Sequence, residues 1–341
     1  MRQVLLLVAF GWACLAAART PEGPLDILIT PNEGVPVMVR PGGAFEVNAT
    51  IRGELALVSG VGEAALTPDW SEPFSGRAKA RCAVPDGTAA GTYALRIRAG
   101  DRSDSNPRAV FVLEAFPERY TFAHLTDTHI GSTRHKRHAD AIFSDAVAAV
   151  NASDAQFVII TGDLTDNGEV WQFRKFLDVL NTCRLPTFVC SGNHDRKALN
   201  YEQVFGPDAY SFWFGEDAYL GFDTKDFIVA DDLGAQPAEL QRLRRAMKPA
   251  RWSIGFAHRY EADMGMRAQL VLFVDDPLDH LIFGHWHRAN TDAERSAPWQ
   301  GWNRPTPITV TPATVNGSMR YFDVSYGGIV GRPPIRVAET E

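Results

Sequence analysis

A chain of 341 residues, 45% of them hydrophobic, can bury a full core and divide into two domains, which excludes low-complexity disorder. Its 34 basic residues against 41 acidic ones give a formal charge of −7, so nonspecific nucleic-acid binding, which needs a basic excess or stripe, is disfavoured. Beyond Arg19 no run is apolar for the roughly 20 residues that a spanning helix requires, so no transmembrane span is expected once a leader is removed.

Met1 to Arg19 reads as an export signal. Arg2 is its short positive region, Val4 to Phe10 its apolar core and Ala16-Ala17-Ala18 its small-residue cleavage site, so residues 1–18 are expected to be removed and the rest to be periplasmic or secreted. Cys14 leaves a lipid anchor as an open alternative, although Trp12 stands where such an anchor calls for a small side chain. Cys82, Cys183 and Cys190 remain, an odd set without scaffold spacing, and are read as reduced and structural. Cys183 ends a predicted helix and Cys190 the next strand, at opposite edges of an α/β layer, beyond the roughly 4.4–6.8 Å that a bridge spans.

Over residues 22–116, short apolar runs alternate with turn residues: "LDILIT", "VPVMV", "AFEVNATI", "ELALVSG", "GRAKARCAV", "GTYALRIRA" and "RAVFVLEAF". Six or seven strands at this spacing predict a β-sandwich. The stretch "PDGTAAGTYALRI" resembles the late strands of immunoglobulin-like modules, without the Cys…Trp…Cys signature of antibody domains.

At Pro117 the pattern changes, and residues 117–341 form the second predicted domain. "TFAHL", "QFVII", "PTFVC", "RWSIGFA" and "HLIFG" read as buried strands. Between them, Ile142, Phe143, Ala146, Val147 and Val150, then Val170, Phe173, Leu177 and Leu180, recur at helical spacing, and "AELQRLRRAM" reads as a third helix. This is the strand-helix alternation of an α/β domain. The tail adds "ITV", "YFDVS" and "IRV", expected to be strands of a second sheet.

Each buried strand stops at polar residues able to hold a metal. "TFAHL" runs into Asp127 and His129, "QFVII" into Asp163 and Asp166, and "PTFVC" into Asn193, His194 and Asp195. "SIGFA" runs into His258, and "HLIF" into Gly284, His285, Trp286 and His287. Ligands in α/β sheets bind beyond the carboxyl ends of strands, so these clusters are expected to converge. Residues two apart in extended chain share a face, which pairs Asp127 with His129 and His285 with His287, one histidine to each of two adjacent ions. Carboxylates, imidazoles and a carboxamide without thiolate suit Mn, Fe or Zn, and two such ions can clamp an in-line displacement at phosphorus.

The ordered blocks "DTH", "GDLTD", "GNHD", His258 and "GHWH" resemble the calcineurin-like metallophosphoesterase superfamily over about residues 120–288. The resemblance implies a four-layer α/β/β/α fold, here preceded by the small all-β domain. It implies Asp127, His129 and His287 on one metal, Asn193, His258 and His285 on the other, and Asp163 bridging both. A bridging hydroxide is then the nucleophile. His194 would contact the phosphate and protonate the leaving oxygen, oriented by Asp195, while Asp166 takes an outer position that orients a ligand. The implied substrate is a phosphate mono- or diester, with a nucleotide or a phospholipid head group as examples.

Other polar residues call for no such role. His124 has the opposite strand parity to Asp127 and is expected to pack, as is His280. "RHKRH" reads as a solvated basic turn, with phosphate contact by Arg134, His135 or Lys136 as the alternative. A rival function is an inert periplasmic or surface binding protein that uses its β-sandwich for recognition; such a descendant usually loses one of Asp163, Asn193, His194 or His258, and all four are present.

Overall fold

The alternating apolar and turn residues at the start of the chain produce eight strands, β1 (Leu28–Thr30), β2 (Val37–Val39), β3 (Ala44–Ala49), β4 (Glu54–Ser59), β5 (Gly62–Trp70), β6 (Ala78–Ala83), β7 (Gly91–Ala99) and β8 (Arg102–Val112). They pair in the order β1-β3-β6-β5-β4-β7-β8-β2. The structure, a computed structural model, describes residues 25–71, 77–224, 235–259, 271–272, 274, 276–289 and 306–341. The expected signal segment and Cys14 lie outside these residues.

Strand β5 makes the N-terminal unit close on itself. Its first half pairs with β4 and its second half with β6, so the two halves of the sheet share one core containing Val47, Leu57, Cys82, Leu95, Ile97 and Val110. The apolar pattern does not mark β5, because among its nine residues Leu66 alone has the buried apolar side chain that signals a strand.

The second unit comprises β9 (Tyr120–Thr126), α1 (Ala139–Asn151), β10 (Val158–Thr161), α2 (Val170–Leu180), β11 (Thr187–Cys190), α3 (Asn200–Phe205), β12 (Ala209–Phe214), β13 (Asp217–Phe222), α4 (Ala235–Ala246), β14 (Ser253–Phe256), β15 (His280–Phe283), β16 (Ile308–Val310), β17 (Ser318–Ser325), β18 (Gly328–Gly331) and β19 (Ile335–Arg336). One sheet runs β11-β10-β9-β17-β18, with β19 also on β17; the other runs β12-β13-β14-β15-β16. Between them lies an aromatic core in which Phe122 stacks on Phe157 and Phe322 at centroid distances of 5.1 and 5.0 Å, and Phe212 stacks on Phe188 and Tyr219 at 3.5 and 4.8 Å. Outside the first sheet Phe143 of α1 stacks on Phe176 of α2, and outside the second Leu240 and Leu243 of α4 pack with Leu220 and Leu281. Helices α1 and α2 thus pack on one sheet and α4 on the other.

The tail corrects one expectation. Only β16 joins the second sheet, by parallel pairing with β15, whereas β17 lies antiparallel to β9 in the first sheet. Val170, placed on the buried stripe of its helix by spacing, is 43% exposed at the first helical position. Cys82, Cys183 and Cys190 are buried and free, as read.

The two units are docked. Arg108 donates to the carbonyls of Leu180 and Leu185 at 3.1 and 2.8 Å, and Asn32 Nδ2 to that of Phe205 at 2.9 Å. Val189 of β11 donates its N–H to the Gly34 carbonyl at 2.9 Å. A Cβ at Gly34 would lie 2.4 Å from the Phe205 ring, so this approach requires glycine.

Candidate metal centre

The parallel strands β9, β10, β14 and β15, with β11, all end at one edge, and the polar residues that follow them meet there. His287 Nε2 lies 3.2 Å from Asp127 Oδ1 and 3.1 Å from His129 Nε2. His258 Nε2 lies 3.1 Å from Asp163 Oδ2 and 3.2 Å from His285 Nδ1. Asp163 Oδ2 is also 3.6 Å from His129 Nε2, so this one oxygen stands between the two groups. Asp127, His129 and His287 form one candidate ligand set, Asp163, His258 and His285 another, and His129, Asp166 and His194 a third.

These residues leave the strands in a shared conformation. Asp127, His129, Asp163, His285 and His287 have φ of 53°, 45°, 47°, 70° and 58°, and they are five of the eight non-glycine residues with positive φ among those described. Left-handed backbone costs a non-glycine residue about 1–2 kcal/mol, and such strain gathers at functional sites. Same-face pairing is therefore achieved, but by alternating left-handed residues beyond the strand ends rather than by the extended chain that was expected.

Three glycines permit the close approach. A Cβ on Gly284 would lie 1.7 Å from Thr126 Oγ1, one on Gly192 would lie 2.1 Å from the Asp163 nitrogen, and one on Gly162 would meet Gly192 and His258 at 2.7 Å.

The surrounding hydrogen bonds aim the ligand atoms. Asp127 Oδ2 accepts from the His285 N–H at 2.9 Å and from Thr126 Oγ1 at 2.7 Å, while the buried Oδ1 has no hydrogen-bond partner. His258 Nδ1 donates to the Thr161 carbonyl at 2.9 Å, which turns the lone pair of Nε2 inward. Asp163 Oδ1 accepts from the His194 N–H at 2.8 Å, leaving Oδ2 free to face the histidines. Asp166 Oδ1 lies 3.4 Å from His129 Nδ1. An orphaned carboxylate oxygen and pairs of imidazole nitrogens pointing at one another fit metal cations between them.

Charge is distributed accordingly. Burial pushes the Asp127 carboxyl up, but the charge on His258 and the neighbouring His129 and His287 rings hold it well below the usual carboxylate range. Burial works against a proton on His258, yet Asp163 and Asp127 raise it to about 9. Burial and then the charge on His258 lower His285 to about 4. In the metal-free protein the positive charge of the His258–His285 pair thus sits on His258.

His194 and Asp195 do not act together. Asp195 is buried, and its carboxylate accepts from the N–H groups of Leu164, Thr165 and Gly192 at 3.1, 2.9 and 2.9 Å and from Thr165 Oγ1 at 2.7 Å. It braces the loops after β10 and β11. The half-exposed His194 ring is oriented instead by the Asp166 carbonyl, 2.6 Å from Nδ1, and stacks edge-on against His129 with centroids 4.8 Å apart. Adjacency in sequence suggests a pair that the turn at Gly192 separates. Asn193 lies on the exposed side of that same turn, between the buried Gly192 and His194.

His124 is buried between Thr311 Oγ1 and Thr161 Oγ1 at 2.7 and 2.8 Å, and burial lowers it to about 3, a packing role as read. His280 likewise bonds Thr309 Oγ1 at 2.9 Å. In "RHKRH", His135 reaches Asn316 and Arg137 pairs with Asp145, while Arg134 turns to the centre, with Nη1 2.5 Å from His287 Nδ1. Sequence reasoning passes over Thr126 and Asp223. Asp223 accepts from Ser191 Oγ at 2.6 Å and pairs with Arg196, fixing the loop that carries His194. Its signal is present in the chain, since it too follows directly on a buried strand.

Aspartate–histidine groups gathered at the strand ends of an α/β fold make a candidate metal centre. The family model for calcineurin-like phosphoesterases matches residues 120–289, and through this domain the chain belongs to that family. The chain is 34% identical over 124 residues to the DNA double-strand break repair protein Mre11 of Thermoplasma acidophilum, covering 29% of this chain and 33% of that protein. It is 28% identical over 207 residues to a probable cyclic nucleotide phosphodiesterase of Rhodopseudomonas palustris, covering 52% and 75%. It is 37% identical over 72 residues to a probable glycerophosphodiester phosphodiesterase of Arcobacter nitrofigilis, covering 21% and 25%. The chain thus spans a third of the Mre11 relative and a quarter of the glycerophosphodiesterase relative.

Proposed function

We propose that this protein is an exported phosphoesterase that holds two metal ions and hydrolyses phosphate esters, diesters first among them. The observation that carries the reading is Asp163 Oδ2, placed between His129 Nε2 at 3.6 Å and His258 Nε2 at 3.1 Å with a further histidine behind each. Asp127, His129 and His287 would hold one ion, Asp163, His258 and His285 the other, with Asp163 shared and Asn193 completing the second set. Ions of the Mn, Fe or Zn type supply positive charge for phosphoryl oxygens and lower the pKa of water near neutral pH. The relatives' names support a diester, and the composition of residues 1–18 supports export.

The protein's own groups divide the remaining work. Thr126 and the His285 N–H keep one Asp127 oxygen occupied, so the other is held in a fixed direction. His194 Nδ1 donates to the Asp166 carbonyl, so the ring presents a proton on Nε2 only as imidazolium, the form able to protonate a leaving alkoxide. Arg134 adds a guanidinium at the rim, suited to non-bridging phosphate oxygens.

The test is turnover of bis-p-nitrophenyl phosphate and p-nitrophenyl phosphate by purified protein loaded with Mn, Zn or Fe. Diester turnover in excess of monoester turnover is expected. Turnover of the monoester alone would redirect the reading to a phosphatase, and no turnover with any of the metals would leave the inert binding protein in its place.

A further inference from the structure

Val170, Trp171 and Leu199 are 43, 54 and 66% exposed, three of the seven large apolar side chains exposed among the described residues. Val170 and Trp171 open α2, and Leu199 directly precedes α3. Asp166, which orients His194, leads through Gly168 into α2, where Val170 and Trp171 are the first residues. Leu199 follows His194 on the next loop, and Asn200 Nδ2 fastens that loop to the Gly168 carbonyl at 2.8 Å. A Cβ on Gly131, two residues after His129, would lie 3.0 Å from Trp171 Cη2, so the indole leans on the turn that carries a candidate ligand.

Single apolar residues on a surface are ordinary, but Trp171 rests on the turn that follows a candidate ligand, which gives it a position. Ala198 and Leu199 also hold φ of 52° and 59°, a left-handed stretch that non-glycine residues rarely adopt. His194 marks the side from which the alcohol departs, and Arg134, against His287, marks a different side.

Resting on the phosphoesterase reading, we infer that Trp171 is the specificity edge for the leaving alcohol. The favoured substrates are phosphate esters whose alcohol carries a flat aromatic or apolar face, in preference to esters of small polar alcohols such as glycerol. The indole supplies a stacking face at little entropic cost, while the phosphate is held elsewhere.

The test is calorimetric binding of phenylphosphonate and methylphosphonate to the metal-loaded protein. The wild-type protein is expected to prefer phenylphosphonate by about tenfold, the order of a stacked aromatic contact. Trp171→Ala should reduce that ratio to below about threefold, and Trp171→Phe should keep most of it. A ratio near one in the wild-type protein, or an unchanged ratio in Trp171→Ala, overturns the inference. If both phosphonates bind equally while esters are hydrolysed, this inference alone falls. If neither binds and no ester is hydrolysed, the phosphoesterase reading falls and takes this inference with it.

Discussion

The backbone N–H of His285 donates to Asp127 Oδ2 at 2.9 Å, joining the end of β9 in one sheet to the loop after β15 in the other. Both residues are candidate ligands, each of a different ion. The same carboxylate therefore aims one oxygen at His287 and holds the second ligand set in register with the other. The spacing between the sets is fixed by strand ends and not by mobile loops, which is the condition for preorganised catalysis.

Gly284→Ala breaks this junction. The added Cβ would fall 1.7 Å from Thr126 Oγ1 and 2.7 Å from Asp127 Oδ2, so the His285 N–H and the Asp127 carboxylate must separate. Overpacking of this kind costs about 1–3 kcal/mol. The expected outcome is a lower urea midpoint with unchanged slope and less than half the bound metal by mass spectrometry; a variant retaining full metal content contradicts the junction.

The proton on His258 predicts how metal-free protein responds to pH. Its folded value of about 9 lies above the ordinary 6.5, so the stability from the protonated ring beside Asp163 and Asp127 is fully present below about pH 6.5 and is lost as pH rises through about 9. Chelator-treated protein should melt at progressively lower temperature across that window. Metal-loaded protein should not, because the ions replace the proton. Parallel melting curves for the two forms would refute this.

Much of the site is legible in the sequence alone because its residues follow buried strands, where side-chain type marks the chemistry. Asp127, His129, Asp163, His258, His285 and His287 all fall where the strand ends place them. The reasons are less legible than the residues. Period-two pairing in extended chain yields the right partners, but the backbone reaches them through left-handed φ, which the local sequence does not announce. Adjacency assigns Asp195 to His194, whereas four donors from two loops claim its oxygens. Chain order sets β17 in the wrong sheet, because its partner β9 lies near Tyr120 and a pairing so distant leaves no trace in either segment's apolar pattern.

Asp195→Asn distinguishes a brace from a catalytic partner. The carboxamide turns an N–H₂ group either toward the Leu164 and Gly192 N–H groups or toward that of Thr165, and a buried mismatch costs about 1–3 kcal/mol. Stability should fall by that amount, and activity should fall by the same factor for esters of good and of poor leaving alcohols. A loss confined to poor leaving alcohols, with unchanged stability, would restore the catalytic pair.

Arg134→Ala removes a rim guanidinium without touching the core. The KM for a phosphodiester should rise about fivefold, corresponding to roughly 1 kcal/mol for a partly exposed charge contact, and the salt dependence of kcat/KM should flatten. An unchanged KM would return this residue to the solvated turn.

The central claim is that two groups of side chains hold two ions, and metal stoichiometry tests it most directly. Wild-type, His287→Ala and His258→Ala proteins would be loaded with Mn, desalted and counted by mass spectrometry, with bis-p-nitrophenyl phosphate turnover measured on the same samples. Two ions per chain in the wild-type protein, about one in each variant and a loss of turnover in both are predicted. One ion or none in the wild-type protein, with turnover unaffected by either substitution, would contradict it.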